Sequence, residues 1–359
     1  MPRNGKGLAE PGCMIRADVS GIDRPSLCVI VDTEEEFDWM APFSRRNALV
    51  TSIRDLNLGH TIFRRYGLRP TYLVDYPVIA DARAGEILGP WVEAGEAIVG
   101  AQLHPWVTPP FEEVVCPQNT YACNLDENLE RRKLASLTEK IHAVLGLRPR
   151  VYKAGRYGLD IRREHILREL GYTVDTSVMP WRDYSGMGGG PDFCCYPDQP
   201  FWSGPGHEVL YLPVLHSLIG PLRGIAGTGL GRLVFSAAAD RIHVPGLLAR
   251  TRLLERIMLT PEGVSCADMK RLIKALLRAG YSVFPLSLHS PSFAPNGTPY
   301  VRSASDLDAF LGRIDAFLEF FFGQLGGQPI DPLQLRQLLG AARTAGTAAA
   351  ANAAEAQVM

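Results

Sequence analysis

The feature that most constrains this chain is the stretch Leu27–Trp39, LCVIVDTEEEFDW. Leu27–Val31 is a five-residue apolar run with β-branched Val29, Ile30 and Val31, the pattern of a strand buried on both faces. It breaks off into Asp32, Thr33, Glu34, Glu35 and Glu36. Carboxylates crowded at a strand end repel one another. The arrangement makes sense if they hold a cation or if some carry protons for acid/base work. In parallel α/β sheets the carboxyl ends of the strands are where sites are built. The competing reading is that Glu34–Glu36 open a solvated helix, whose first turn favours acids.

The rest of the chain repeats the strand–helix alternation. Val50–Tyr66 carries apolar residues at helical spacing and stops at Gly67. Thr71–Val74 reads as a strand closed by Asp75-Tyr76-Pro77, Arg83–Ala94 as a helix, and Ala97–Leu103 as a third strand. This βαβαβ rhythm belongs to a parallel sheet. The third strand runs into Gln102-Leu103-His104-Pro105-Trp106, where Gln102 and His104, two apart, share one side. His104 is a candidate metal ligand or acid/base group, against the structural role that strand-end histidines commonly play.

Residues 107–128 read as a long functional loop. Leu129–Leu145 is an amphipathic helix stopped by Gly146. Arg150–Lys153 is a fourth strand opening onto Ala154-Gly155-Arg156-Tyr157-Gly158, whose glycines let the backbone approach a ligand. Lys153 and Arg156 are placed to neutralise carboxylates or polarise a substrate oxygen, although Arg156 also suits a turn anchor. Helix Ile161–Leu170 leads to strand Tyr172–Asp175, which again ends in an acid.

Residues 179–206 read as a loop rich in aromatics. Trp181 and Trp202 within it, with Trp106 and Tyr157, are candidates for stacking on sugar faces, surface packing being the alternative. Glu208–Val214 is strand six. An insertion at 217–262, with Arg223, Arg232, Arg241, Arg250, Arg252 and Arg256, packs against the body, or serves as a lid, a partner helix or a membrane-surface contact. Cys266–Ala279 is a helix, Ser282–Leu288 strand seven ending at His289, and Ser305–Phe322 a helix with Ser305 and Asp308 forming a capping-box start. Residues 1–25 read as a flexible lead-in and 326–359 as a partly disordered, Ala-rich tail.

Composition excludes several classes. The formal net charge of −1 and the lack of a basic stripe argue against a nucleic-acid partner. No apolar run approaches membrane-spanning length. Seven cysteines without a CxxC pair read as reduced thiols, and with no secretory signal apparent the expectation is a cytoplasmic protein. The sequence leaves the oligomeric state open.

Asp32 and Glu34, His104, Lys153 and Arg156, Asp175 and His289 therefore all fall at carboxyl ends of strands, the pattern of a (β/α) barrel site. In order, VDTEEEFDW, GAQLHPW, YKAGRYG, DTSVMP and LSLHSPS resemble the five motifs of the polysaccharide deacetylase superfamily (NodB-homology, carbohydrate esterase family 4), in its WalW-like branch. The resemblance spans about residues 27–322. It implies a distorted (β/α) barrel of about seven parallel strands within residues 26–325, hydrolysing N-acetyl or related acyl groups on a carbohydrate. By the same resemblance Asp32 is the general base, His289 the general acid, Asp175 an orienting acid, and Lys153 stands in for the motif's arginine. Glu34 and His104 then hold a divalent metal such as zinc. Gln102 departs from the pattern, because it stands where a second histidine ligand is expected and an amide is a poor zinc ligand. A catalytically silent glycan-binding barrel is the alternative. A glycosidase using Asp32 and a second acid leaves His104 and His289 without a role.

Overall fold

The structure, a computed structural model, describes residues 14–37, 41–203, 206, 208–225 and 244–341. Each apolar run read as a strand forms one. In chain order the strands are β1 (Met14–Arg16), β2 (Ser26–Thr33), β3 (Thr71–Val74), β4 (Ile98–Leu103), β5 (Val151–Ala154) and β6 (Val174–Asp175). They continue as β7 (Phe201–Ser203), β8 (Leu210–Tyr211), β9 (His216–Ile219), β10 (Glu255–Met258), β11 (Val283–His289) and β12 (Gln328–Pro329). The main sheet runs β1-β7-β8-β6-β5-β4-β3-β2-β11, with β12 added to β2. From β11 through β2, β3, β4, β5 and β6 to β8, seven strands lie parallel in a curled half-barrel. Helices at Leu56–Arg65, Ala82–Glu93, Glu127–Leu145, Cys266–Arg278 and Ala304–Leu318 return the chain between them.

Every residue of β2 is buried, as its unbroken apolar run requires. Side-chain alternation splits that strand between two cores. Leu27, Val29 and Val31 join the large cluster under the helices. Cys28 and Ile30 join a smaller cluster inside the half-barrel with Leu73, Ile98, Val151, Val174, Leu210 and Val283. The inner core is tight: a Cβ on Gly100 of β4 would lie 2.5 Å from both a Leu73 methyl and the Val151 carbonyl. Strand parity thus decides which strand-end residues reach a common site. Asp32 continues the Cys28–Ile30 face, Gln102 that of Ile98, Lys153 that of Val151, and His289 that of Val283.

Several boundaries differ from the sequence reading. The lead-in is tied down from Met14, because β1 pairs antiparallel with β7. That second strand lies inside the 179–206 loop, and Trp202 on it is inner-core packing at 3% exposure, removed from the candidate sugar-stacking rings. The helix read from Ser305 starts one residue earlier, at Ala304, and its cap is Ser303, whose side chain accepts from Asp306 N. The short helix Tyr76–Ala80, N-capped by Asp75, went unread, since Asp-Tyr-Pro looked like a plain turn. The described ends of the insertion form a β9–β10 hairpin packed beside helix Cys266–Arg278; Arg232 and Arg241 lie outside the described residues. Residues 326–341 are built into the body through β12 and a helix at 332–341. Cys28, Cys116, Cys123, Cys194 and Cys266 are free thiols. Among the described residues no helix is long and apolar enough to cross a membrane.

Candidate active site

Where β2, β4, β5 and β11 end, a cavity of about 420 Å³ opens. Asp32, Glu34, Gln102, His104, Lys153 and His289 all line it, with Glu262 from the segment between β10 and the next helix. Register explains the meeting of the two chemical ends of the chain: His289 of β11 pairs directly with Asp32 of β2. Across the floor Gln102 pairs with Lys153.

Asp32 is 3% exposed and sits between two cations. Lys153 Nζ donates to its Oδ2, and His289 Nε2 stands 3.6 Å from the same oxygen. Among the described residues Asp32 Oδ1 has no hydrogen-bond partner. Glu262 fixes the His289 ring from behind. Its Oε2 accepts from Nδ1 at 2.7 Å, its Oε1 accepts from the His289 backbone N–H at 2.9 Å, and Ser292 Oγ donates to it as well. Burial alone would lower the His289 pKa; the surrounding charges of Glu262, Glu34 and Asp32 outweigh it and raise it to about 10. The acids facing the ring thus favour its charged form, and Nε2 is the nitrogen turned toward Asp32 and the cavity.

A second group of polar atoms forms the other side of the floor. Gln102 Nε2 lies 3.0 Å from Glu34 Oε2 and 3.1 Å from His104 Nε2, and those two atoms are 3.6 Å apart. Behind them His104 Nδ1 donates to Glu35 Oε2 at 2.7 Å, which leaves the Nε2 lone pair facing the cavity. Glu35 in turn leans on Asp75, whose Oδ2 accepts from Glu35 N at 2.8 Å while Oδ1 caps the Tyr76–Ala80 helix. Burial pushes Glu35 up to about 8 and Asp75 well above the carboxylate range. The His104 ring stacks on Trp106, with centroids 4.4 Å apart.

The donor set suits a divalent cation. Glu34 offers a carboxylate and His104 an oriented imidazole nitrogen, and Gln102 Oε1 is buried without a partner among the described residues. Glu35, Asp75 and His104 also offer donor atoms within 4.8 Å of one another. Their nearest oxygens are already committed to His104 Nδ1–H and Glu35 N–H, so this group reads as the support for His104.

No protein-family model matches the chain. No curated protein matches it either. Among solved structures it resembles a protein from Mycobacterium smegmatis described as a polysaccharide deacetylase, with a TM-score of 0.50 at 17% identity over 92% of this chain and 96% of that one. The chain has the polysaccharide deacetylase fold. Two further structures align less closely. The Xyl-CE4 domain of a xylanase from the Trinervitermes trinervoides hindgut metagenome has a TM-score of 0.42 and 9% identity, over 89% of this chain and 92% of that one. A CE4 family pseudoenzyme from Bacillus anthracis has a TM-score of 0.38 and 9% identity, over 88% and 66%.

Within this polysaccharide deacetylase fold, two residues read as functional stand elsewhere. Asp175 follows Val174 by one position, so it faces the opposite way, among the outer-layer rings of Tyr152 and Tyr211 with which it is in register. Its carboxylate accepts from Ser177 N at 2.8 Å and Ser177 Oγ at 2.9 Å, and burial raises its pKa to about 7. Asp175 braces the β6 end and does not line the cavity. Trp181, at φ +64°, packs toward Leu218 and Leu254, with Nε1 3.4 Å from Asp198 Oδ2. It is not part of the cavity wall.

The remaining candidates do reach the wall. Tyr157 lines it beside Tyr184, the rings 5.6 Å apart. Trp106 lines it too, although 1% exposed and devoted to His104. Arg156 borders the cavity from a left-handed backbone (φ 53°), yet its guanidinium is taken up by the loop after β4. It donates to Thr120 Oγ1 and to Tyr121 OH at 2.9 Å and lies over the Tyr121 and Phe43 rings. That is the turn-anchor role. Glu262 was missed because it falls in a segment with no strand-end signature, T-P-E-G; only the proline and glycine on either side of the acid hint at a shaped turn.

Proposed function

We propose that the chain hydrolyses N-acyl groups, N-acetyl among them, on a carbohydrate. The observation that carries this reading is the pairing of a buried carboxylate, Asp32, with His289, a histidine held by Glu262, on one side of a cavity. Glu34 and the oriented His104 nitrogen form the other side. A divalent cation held by Glu34 and His104 would polarise the acyl carbonyl and lower the pKa of bound water.

The residues divide the remaining work. Lys153 offsets the charge of Asp32 inside the protein, leaving Oδ1 to take a proton from the attacking water. His289, kept charged by Glu262, gives its Nε2 proton to the departing amine. Glu35 holds the His104 tautomer, and Trp106 holds its plane. The stacked Tyr157–Tyr184 pair supplies an aromatic wall for a sugar ring to pack against. The assignment to a WalW-like branch rests on the sequence motifs.

A second reading, a silent glycan-binding barrel, is favoured by one observation: Gln102 Nε2 bridges Glu34 and His104 and occupies them as a hydrogen-bond donor. Acyl release from N-acylated oligosaccharides, with and without added zinc, separates the two. Hydrolysis requires release that chelation abolishes, whereas the silent barrel binds glycan and releases nothing.

A further inference from the structure

The cations around the cavity are nearly all committed. Lys153 is paired with Asp32, His289 with Glu262, and Arg156 with Thr120, Tyr121 and Phe43. Arg182 is the exception. It lines the cavity from the exposed loop after Trp181, and among the described residues no carboxylate or carbonyl pairs with its guanidinium. The neighbouring acid does not serve it, since Asp183 accepts from Ser185 N. Its charge is felt at the phenols of Tyr157 and Tyr184, the two rings placed to stack on a sugar.

The acids of the floor already have their counter-charges, Lys153 on Asp32 and His289 on Glu262, so Arg182 is left to face a ligand. An anionic group on a ligand in this cavity therefore meets its unpaired cation at Arg182. A guanidinium offers a planar fork matched to a carboxylate or phosphate. We propose that Arg182 selects an acylated sugar bearing an anionic group, a carboxylate or a phosphate ester. The sugar packs against the stacked Tyr157–Tyr184 pair, its acyl amide reaches the floor, and its anion meets Arg182.

This inference rests on the proposed hydrolysis for the substrate's acyl group, but it is tested by binding. Calorimetric affinities of the intact protein and of R182Q are compared for N-acetylglucosamine, N-acetylglucosamine 6-phosphate and N-acetylmuramic acid, with acyl release assayed in parallel. The wild type binds an anionic probe at least about threefold more tightly than the neutral sugar, the size expected of a solvent-exposed ion pair. R182Q loses that preference, and R182K, with the charge but not the fork, keeps part of it. Preference for the phosphate or for the muramic acid identifies the anion. Equal affinities in the wild type, or a preference that survives in R182Q, overturn the proposal. A preference without acyl release from any probe sinks the hydrolytic reading and leaves Arg182 as an anion-selecting residue of a binding site.

Discussion

Asp32 and His289 lie 257 positions apart in the chain and directly opposite each other across β2 and β11, with His289 Nε2 3.6 Å from Asp32 Oδ2. Parallel pairing in that register turns a motif near each end of the sequence into one acid–base pair. Everything else at the floor is arranged around it, with Lys153 on one flank of Asp32 and Glu262 behind His289.

The Glu262–His289 contact predicts a pH effect with a definite sign. Glu262 is the strongest influence raising His289 to about 10, so E262Q lowers the pKa of the acid. The alkaline limb of kcat then moves to lower pH. The linkage to stability follows the same sign. His289 is raised from 6.5 to about 10 on folding, so its contribution is complete below pH 6.5 and fades as pH climbs toward 10. Denaturation of wild type and H289Q across that window should show the gap closing as pH rises; a constant gap contradicts the assignment.

Lys153 and Asp32 are 3% and 4% exposed at their side chains and form a buried ion pair. K153M strands the carboxylate and should cost about 3 kcal/mol or more in urea unfolding. The double variant K153M/D32N removes the stranded charge and should regain most of that loss. Additive losses in the double variant would argue that the two side chains act separately.

Gln102 makes a prediction about the cation. Q102H adds an imidazole beside Glu34 and His104 and removes the amide donor that now bridges them. Zinc should bind at least about tenfold tighter, the scale on which a changed partner at a metal site is felt. Titration of zinc against a competing chelator measures it. Unaltered affinity places the cation away from Gln102.

How much of this was legible beforehand depended on strand parity and on chain distance. Asp32, His104, Lys153 and His289 were readable because each closes an apolar run. Asp175 closes one too, but the sequence alone gave no register by which to see that it points outward beside Tyr152 and Tyr211. Trp181 and Trp202 looked alike as loop aromatics; one packs under the β9–β10 hairpin and the other fills the inner core, and no local pattern distinguishes those fates from a sugar-stacking face. Glu262 was hidden because its partner lies 27 residues on, joined to it only by tertiary packing.

The outward face of Asp175 yields its own test. D175N should keep acyl release within about threefold of the wild type, as expected away from the reacting groups, while lowering thermal stability through its Ser177 contacts. A loss of kcat as deep as that from replacing Asp32 would return Asp175 to the site.

Acyl release measured beside glycan binding, for the wild type and for D32N, tests the central claim most directly. Asn keeps the shape of Asp32 but takes away the proton acceptor. Release from N-acetylated oligosaccharides should fall about a hundredfold or more, the usual weight of a general base, with calorimetric glycan affinity retained through Tyr157 and Tyr184. A wild type that releases no acyl group from a broad panel of acylated sugars, with zinc or other divalent metals supplied, contradicts the account and leaves a glycan-binding barrel.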